Sequence, residues 1–227
     1  MAGHIKTLRP IFTKWILELK SVFNGRDCQL LPEMFRFYAP DAKIIIDVTS
    51  NARRMWQGVF IKSDTRVLYY DIDPVVKPQV ICSWDKLPNF DASVDVIVYD
   101  PPHLPIAAAS PKSIAHYSVD YGLRRSTKAD NIASLHPPFL VEAQRVLIPD
   151  GLIFAKIKDY IHNHKYQWNL HLFNDAVRAA GMTPCDLIIK IDPCGGNLKS
   201  GRWVRAHHAK SVHCYWVVVR NGKCEGN

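Results

Sequence analysis

The tetrapeptide Asp100-Pro101-Pro102-His103 combines residue types that suit chemistry on an amino group. It ends a short apolar run, 94–99, that is typical of a buried strand. Two consecutive prolines fix the backbone and remove two N–H donors, so the Asp100 carboxylate and the Pro101 carbonyl can point together at one place as acceptors. A planar NH₂ group that donates both hydrogens there loses conjugation with its ring and becomes a better nucleophile. The alternative is a strand-ending turn without chemical consequence.

A second group of candidates begins at Asp47, which closes another apolar run and is followed by the small residues 49–52. Small residues let a backbone approach a cofactor closely. Asp71 ends the next apolar run, 24 residues after Asp47. This is close to the roughly 20-residue spacing at which an acidic residue meets a ribose in nucleotide-binding folds. We therefore predict Asp71 as a ribose ligand, with Asp73 as the alternative.

These candidates must be positioned by a sheet, because the chain shows short apolar runs at 43–48, 66–70, 79–82, 94–99 and 152–156. Buried runs separated by connections of helical length are typical of a parallel sheet in an α/β domain. Helical spacing predicts helices at 11–23, 31–38, 137–147 and 167–180, and the segment 148–151 is predicted as a turn. The runs 186–191 and 213–219 are predicted as a hairpin at the sheet edge.

Composition limits the class of protein and its partners. The 227 residues include 29 Lys and Arg against 21 Asp and Glu, a net charge of +8 that favours a polyanion such as nucleic acid. No run of 18 apolar residues occurs, so we expect no membrane span and a soluble, cytoplasmic protein. Six scattered cysteines form no C-x-x-C pair, which favours reduced thiols, and the Cys and His spacing predicts no metal site.

The motif at 100–103 resembles that of the amino-methyltransferases of the class I S-adenosylmethionine (SAM) superfamily, Asp/Asn/Ser-Pro-Pro followed by Tyr, Phe or Trp. Here His103 holds the aromatic position, and residues 49–52 lack the usual glycines. Taken in order with "AQRVLIPDGLIFAKIKD" and "HHAKSVHCYWVVVR", the motifs resemble a family of small DNA methyltransferases of bacteria and their phages. The resemblance covers roughly residues 43–220.

The resemblance implies a Rossmann-like α/β fold with seven strands, mostly parallel, and a C-terminal antiparallel hairpin. It implies one methyltransferase domain over 43–227, preceded by an N-terminal helical segment, 1–42. SAM is the implied cofactor, bound by ten residues: Asp47, Val48, Thr49, Ser50, Asn51, Asp71, Ile72, Ser83, Trp84 and Asp85. The implied catalytic residues are Asp100, Pro101, Pro102 and His103, whose ring would stack on a flipped base.

The implied reaction is methyl transfer to an exocyclic amine of a DNA base. Asp at the first motif position is associated mainly with adenine, so N6 of adenine is the first expectation. Cytosine N4 in DNA, guanine N2 or adenine N6 in RNA, and a non-catalytic nucleic-acid-binding module are the alternatives. The oligomeric state, monomer or homodimer, stays open.

Nucleic-acid contacts are expected from the long segment 103–136, the turn after Asn51 and the basic C-terminal stretch, because interleaved cations and aromatics suit phosphate contact and base stacking. The candidates are Arg53, Arg54, Tyr117, Tyr121, Arg124, Arg125, Lys128, Arg202, Arg205, His207, His208 and Lys210. The C-terminal part has the alternative of an ordinary solvated hairpin. Lys156 and Lys158 either face the site or leave the sheet for solvent.

Overall fold

A computed structural model describes residues 18–103, 132–162, 164–191, 208–209 and 211–222. Along these residues the elements are β1 (Val22–Asn24), α1 (Asp27–Tyr38), β2 (Ile44–Asp47), β3 (Arg66–Asp71), β4 (Val80–Ile81), β5 (Val94–Tyr99), α2 (His136–Val146), β6 (Leu147–Ile157), β7 (Tyr160–His162), β8 (Lys165–Gln167), α3 (Asn169–Ala179), β9 (Thr183–Ile191) and β10 (His213–Arg220). None of the helices in these segments is long and apolar enough to cross a membrane.

The main sheet has the strand order β1-β9-β10-β6-β5-β2-β3-β4. The strands from β6 to β4 pair in parallel, whereas β10 runs antiparallel to both β6 and β9. The predicted mostly parallel α/β sheet with a C-terminal antiparallel hairpin is therefore confirmed. Among the described residues the main sheet has eight strands rather than the predicted seven, because β1 pairs in parallel with β9.

Both faces of the sheet are covered, and side chains alternate between two cores along each strand. In β5, Val96 and Val98 pack toward α1, while Ile97 and Tyr99 pack toward α2 and α3. The helix α1 covers the first face through a fully buried set: Leu30, Leu31 and Met34. Continuous apolar runs are the sequence pattern of such a sheet, because a strand buried on both faces carries apolar residues at successive positions and does not alternate with polar ones.

The predicted helix 11–23 is wrong in its described part, because residues 22–24 form the strand β1. An unpaired β9 would leave backbone groups without partners, and this segment supplies them. The Ile189 N–H donates to the Ser21 carbonyl oxygen at 2.7 Å, and the Gly25 N–H donates to that of Ile191 at 3.4 Å. The hairpin of β9 and β10 consequently does not form the sheet edge, which belongs to β1.

The predicted turn 148–151 is a bent part of β6 instead. Asp150 adopts a φ of 61°, and a Cβ on Gly151 would lie 2.9 Å from the Ile148 carbonyl oxygen, so this bend requires glycine. The Asp150 N–H donates to the Asn221 carbonyl oxygen at 2.9 Å. Pairing with the end of β10 therefore keeps the bent segment within the sheet.

Candidate active site

The turn that follows β2 is built around the carboxylate of Asp47, which is completely buried. One of its oxygens accepts a hydrogen bond from the Thr49 N–H at 3.0 Å, and the other accepts one from Trp56 Nε1 at 2.6 Å. Thr49 Oγ1 in turn accepts a hydrogen bond from the Asp100 N–H at 2.7 Å. The turn after β2 and the Asp-Pro-Pro-His motif after β5 are therefore joined directly.

Asn51 closes this turn in place of a glycine. Its φ of 45° lies in the left-handed region, which asparagine tolerates better than most residues. Its N–H donates to the Asp71 carboxylate at 2.9 Å, and its side-chain Nδ2 donates to the Thr49 carbonyl oxygen at 2.8 Å. The other oxygen of Asp71 accepts a hydrogen bond from the Asp73 N–H at 3.0 Å. Asp71 thus ties the end of β3 to the turn after β2.

Two buried polar atoms beside this turn have no hydrogen-bond partner among the described residues. They are Ser50 Oγ and Asp73 Oδ2. Asp73 is 2 % exposed, and its other carboxylate oxygen accepts a hydrogen bond from the Val75 N–H at 2.8 Å. A buried polar atom without a partner costs about 1–3 kcal/mol, so both atoms are suited to a bound polar group.

The remaining predicted cofactor residues lie at the ends of β2, β3 and β4. Val48 is buried, Ile72 and Ser83 are half-buried, and Asp85 is exposed. Trp84 packs edge-on against Tyr99, with ring centroids 6.2 Å apart. These positions surround the same edge of the sheet as Asp71.

The Asp100 carboxylate lies between two basic groups. One oxygen is 3.2 Å from Lys156 Nζ, and the other is 3.0 Å from His103 Nε2. The Lys156 ammonium also contacts Asp27 at 3.0 Å, and Asp27 contacts Lys190 Nζ at 3.3 Å. These side chains form an alternating chain of charges, which we call the charge cluster: His103, Asp100, Lys156, Asp27 and Lys190.

The alternation of side chains along the strands explains why these charges meet. Asp100 follows Tyr99, which faces α2 and α3, so Asp100 points to the opposite face, where α1 begins. Ala155 and Ile157, the neighbours of Lys156 in β6, belong to the same core as Tyr99. Lys156 therefore points to the opposite face, toward α1. Asp27 is the first residue of α1 and completes the cluster.

Burial and charge act in opposite directions on this cluster. Burial raises the pKa of Asp100, but Lys156 and His103 hold that pKa well below its ordinary range. Burial lowers the pKa of Lys156, but Asp100 and Asp27 hold it above its ordinary value. Both groups are therefore charged at neutral pH. Asp47 differs, because burial raises its pKa to about 7, against opposing hydrogen bonds from Trp56 and Thr49.

A cavity of about 280 Å³ opens beside the charge cluster. It is lined by the turn 50–52, by residues 211–214, by Met55, by the acidic residues Asp27 and Asp100, by His103 and by four cations, namely Arg54, Lys156, Lys158 and Lys190. A cavity with this lining suits an anionic or strongly polar ligand. Lys156 therefore faces the site, which decides between the two alternatives predicted for it.

The predicted nucleic-acid residues are only partly described. Arg53 donates to the Lys77 carbonyl oxygen at 2.7 Å and lies over the Tyr69 ring, whereas Arg54 lines the cavity. His208 Nε2 lies 3.0 Å from the His164 carbonyl oxygen. The others lie outside the described residues: Tyr117, Tyr121, Arg124, Arg125, Lys128, Arg202, Arg205, His207 and Lys210. The described part of the chain holds no group of three His, Cys, Asp or Glu side chains that could bind a metal.

Sequence reasoning missed Asp27 and Lys190, which the fold brings to Asp100 from 73 and 90 positions away. One sequence signal could have indicated Asp27: it is an acidic residue in the first turn of a helix, where its negative charge interacts favourably with the helix dipole. Lys190 stands in a β-rich run with apolar neighbours, and a lysine in such a run has to meet an anion or reach solvent.

Comparisons with known proteins bear on the fold. No protein-family model matches the chain, and no curated protein matches its sequence. A solved complex of the Haloferax volcanii Trm112 methyltransferase activator contains a chain, assigned provisionally as a methyltransferase, that is 13% identical to this one with a TM-score of 0.54. That match covers 88% of this chain and 91% of the other.

A protein of Galdieria sulphuraria, assigned provisionally as a sarcosine dimethylglycine methyltransferase, is 12% identical, with a TM-score of 0.54 over 86% of this chain and 85% of the other. A DNA modification methylase of Thermus thermophilus, also a provisional assignment, reaches a TM-score of only 0.39 at 15% identity, over 62% of this chain and 52% of the other. The first two matches show that this chain has the Rossmann-like methyltransferase fold.

Proposed function

We propose that this protein transfers a methyl group from SAM to an exocyclic amino group of a DNA base, with N6 of adenine as the preferred target. The observation that carries the proposal is the hydrogen bond from the Asp100 N–H to Thr49 Oγ1. It joins a pair of acceptors suited to an amine, Asp100 and Pro101, to the turn that approaches a cofactor in this fold. Methyl donor and amine would then meet at one edge of the sheet.

The residues present fit SAM. Ser50 Oγ and Asp73 Oδ2 are buried acceptors without partners among the described residues, and both flank the turn after β2. Asp71 or Asp73 would accept hydrogen bonds from the ribose, and Trp84 would pack against the adenine ring. Bound SAM supplies a methyl group on a positively charged sulfur.

The chain's own residues prepare the amine. The Asp100 carboxylate and the Pro101 carbonyl oxygen accept its two hydrogens, which turns the nitrogen lone pair toward the methyl group. Asp100 accepts best when ionised, and Lys156 Nζ lies 3.2 Å from one of its oxygens. The His103 ring, half-buried beside Asp100, offers a face on which the target base stacks.

The charge of the protein favours a nucleic acid as the polymer that carries the amine. The net charge of +8 favours a polyanion, and several cations line the same cavity as Asp100. DNA is our first choice, from the resemblance of the motif series, and the Asp at the first motif position favours adenine over cytosine. RNA and cytosine N4 are outcomes that the experiment below distinguishes.

One observation favours a second candidate, a nucleic-acid-binding module without catalysis. Both oxygens of Asp100 face a basic group, and an ion-paired carboxylate is a weaker acceptor for an amine. In that case the basic cavity would hold a phosphate while the motif stabilises the fold.

The test incubates the protein with tritiated SAM and, separately, duplex DNA, single-stranded DNA and RNA, followed by mass spectrometry of the digested polymer. We expect label in DNA, as N6-methyladenine, and about 100- to 1000-fold slower labelling by the Asp100→Ala variant. Label as N4-methylcytosine or in RNA would replace the substrate in the proposal. Binding to DNA without label in any polymer would support the second candidate.

A further inference from the structure

The side chain of Lys156 is placed unusually for a lysine, since it is only 13 % exposed and lies within a strand of the central sheet. Its ammonium lies 3.2 Å from Asp100 and 3.0 Å from Asp27. Asp27 is itself held by Lys190 Nζ at 3.3 Å and by Trp216 Nε1 at 3.0 Å. The position of the ammonium is thus fixed through Asp27 of α1, which β9 and β10 hold in turn, independently of Asp100.

We propose that Lys156 is the positioning residue for Asp100: its charge keeps the carboxylate ionised inside the site and orients one carboxylate oxygen, so that Asp100 can accept a hydrogen from the target amine. The proposal rests on the proposed function for the identity of the amine. The ionisation of Asp100 is a property of the chain alone.

Asp47 shows what Asp100 would be without an ammonium beside it. The two carboxylates end neighbouring parallel strands and are linked through Thr49. Asp47 receives hydrogen bonds only from neutral N–H and O–H donors among the described residues, and its pKa rises to about 7. A protonated Asp100 would turn one oxygen into a donor, which competes with the N–H groups it has to bind.

A purely structural role does not explain this ion pair well. Replacement of a buried ion pair by apolar residues of similar volume is often neutral or stabilising, so burial of charge is an inefficient way to hold a fold together. A site that needs an ionised carboxylate has a separate reason to keep the lysine.

The groups that face Asp100 define the pH experiment. They are His103 on its own segment, Lys156 from β6, Asp27 from α1 and Asp47 from β2, with Lys190 and Cys214 one step further away. Because a pH profile of the rate does not by itself identify the group that titrates, the ionisation of Asp100 has to be read directly. Selective ¹³C labelling of aspartate carboxyl groups, with Asp100→Asn for assignment, gives that readout.

The experiment compares Lys156→Met and Lys156→Gln, which remove the charge, with Lys156→Arg, which keeps it. Lys156→Gln retains a hydrogen-bond donor and serves if the methionine variant does not fold. The control is Lys43→Met, which removes an exposed lysine paired with Asp64 near the start of β2. Each protein is titrated by ¹³C NMR, and single-turnover methyl transfer to DNA is followed across the same pH range.

We expect Asp100 to stay ionised across the range in the parent, in Lys156→Arg and in Lys43→Met. In both uncharged variants its midpoint should rise toward neutrality. Each pH unit below that midpoint lowers the ionised fraction of Asp100 about 10-fold, so transfer by these variants should fall in acid by that factor per unit and recover as the pH rises. A lysine needed only for folding would lower the rate equally at every pH.

The two proposals fail separately. If the parent methylates DNA and the uncharged variants keep the parental pH profile and the parental Asp100 midpoint, the role of Lys156 is wrong and the proposed function stands. If the parent labels no polymer, the proposed function is wrong. The ¹³C titration of the Asp100 carboxyl group then tests the role of Lys156 by itself. An unmoved Asp100 midpoint would then overturn the inference.

Discussion

Two pairs of carboxylates, one buried and one half-buried, lie at the same edge of the sheet and differ in their partners. Asp47 and Asp71, the last residues of β2 and β3, receive hydrogen bonds from neutral donors, mostly backbone N–H groups. Asp100 and Asp27, after β5 and at the start of α1, contact lysine ammonium groups. We call these the turn pair and the cluster pair.

Burial acts on both pairs in the same direction, and the partners decide the outcome. In all four residues burial raises the pKa. In the turn pair this effect prevails, whereas in the cluster pair the lysines reverse it. The two pairs therefore differ in whether a full positive charge stands beside the carboxylate, and the direction of the pKa shift follows that charge. In the turn pair the neutral donors hold a loop in place, and in the cluster pair the lysines favour the ionised form of the carboxylates.

The largest expected effect concerns the turn pair, through Asp47→Asn. A carboxyl with a higher pKa in the folded state binds its proton more tightly when folded, so its contribution favours folding in acid and is lost as pH rises from about 4 to about 7. With a folded pKa of about 7 against an ordinary 3.8, the cost at alkaline pH reaches about 4 kcal/mol. The asparagine variant lacks that cost.

Urea unfolding at several pH values measures this effect. The introduced asparagine places an NH₂ group opposite an N–H donor, which destabilises the variant by an amount that does not depend on pH. The difference in unfolding free energy between variant and parent should therefore become more favourable to the variant by up to about 4 kcal/mol from pH 4 to pH 8. A difference that stays constant over this range would mean that Asp47 is ionised throughout and that the two pairs are alike.

The second effect concerns the cluster pair, through Asp100→Ala. The substitution removes one of the two acceptors for the amine, an effect of about 2.7–4 kcal/mol on the barrier, or about 100- to 1000-fold in rate. Single-turnover transfer from labelled SAM measures it, and calorimetry should find SAM affinity nearly unchanged. An Asp100→Ala enzyme within a few-fold of the parent would remove the support for an amine bound at this motif.

The two pairs also differ in how far the sequence predicts them. Asp47, Asp71 and Asp100 each end an apolar run, and the carboxyl ends of parallel strands share one edge, so their proximity follows from the strand pattern. The same pattern predicted the core strands β2, β3 and β5 almost to their ends. Local order along the chain carries this information.

The partners were not predictable in this way, because they come from distant segments. Asp27 lies in a part predicted as the end of one helix and the approach to the next, and Lys190 in a hairpin predicted at the edge of the sheet. The strand β1, which holds β9 in place, was hidden in an apolar pattern that also fits a helix. Apolar spacing over a few residues does not separate a short strand from a helix end, and the pairing of β9 decides it.

The smallest expected effect distinguishes the roles of Asp71 and Asp73, the two carboxylates at the end of β3. Both oxygens of Asp71 accept backbone N–H groups, whereas Asp73 has one buried oxygen without a partner among the described residues. Asp73 is therefore the better candidate for a ribose hydroxyl, and Asp71 for holding the turn. Asp73→Asn keeps an acceptor for the Val75 N–H but loses a charge-assisted hydrogen bond to the ribose, worth about 1.5–3 kcal/mol of SAM affinity.

The matched variant Asp71→Asn should act differently. It weakens the hydrogen bond to the Asn51 N–H, so it loosens the turn and lowers the unfolding free energy of the ligand-free protein, which Asp73→Asn should change little. Calorimetry of SAM binding and urea unfolding of both variants separate the two roles. Reduced affinity for Asp71→Asn with unchanged stability, together with unchanged affinity for Asp73→Asn, would return the ribose to Asp71. The turn pair would then bind the cofactor directly through Asp71, and its neutral donors would serve to orient a ligand group as well as to fix a loop.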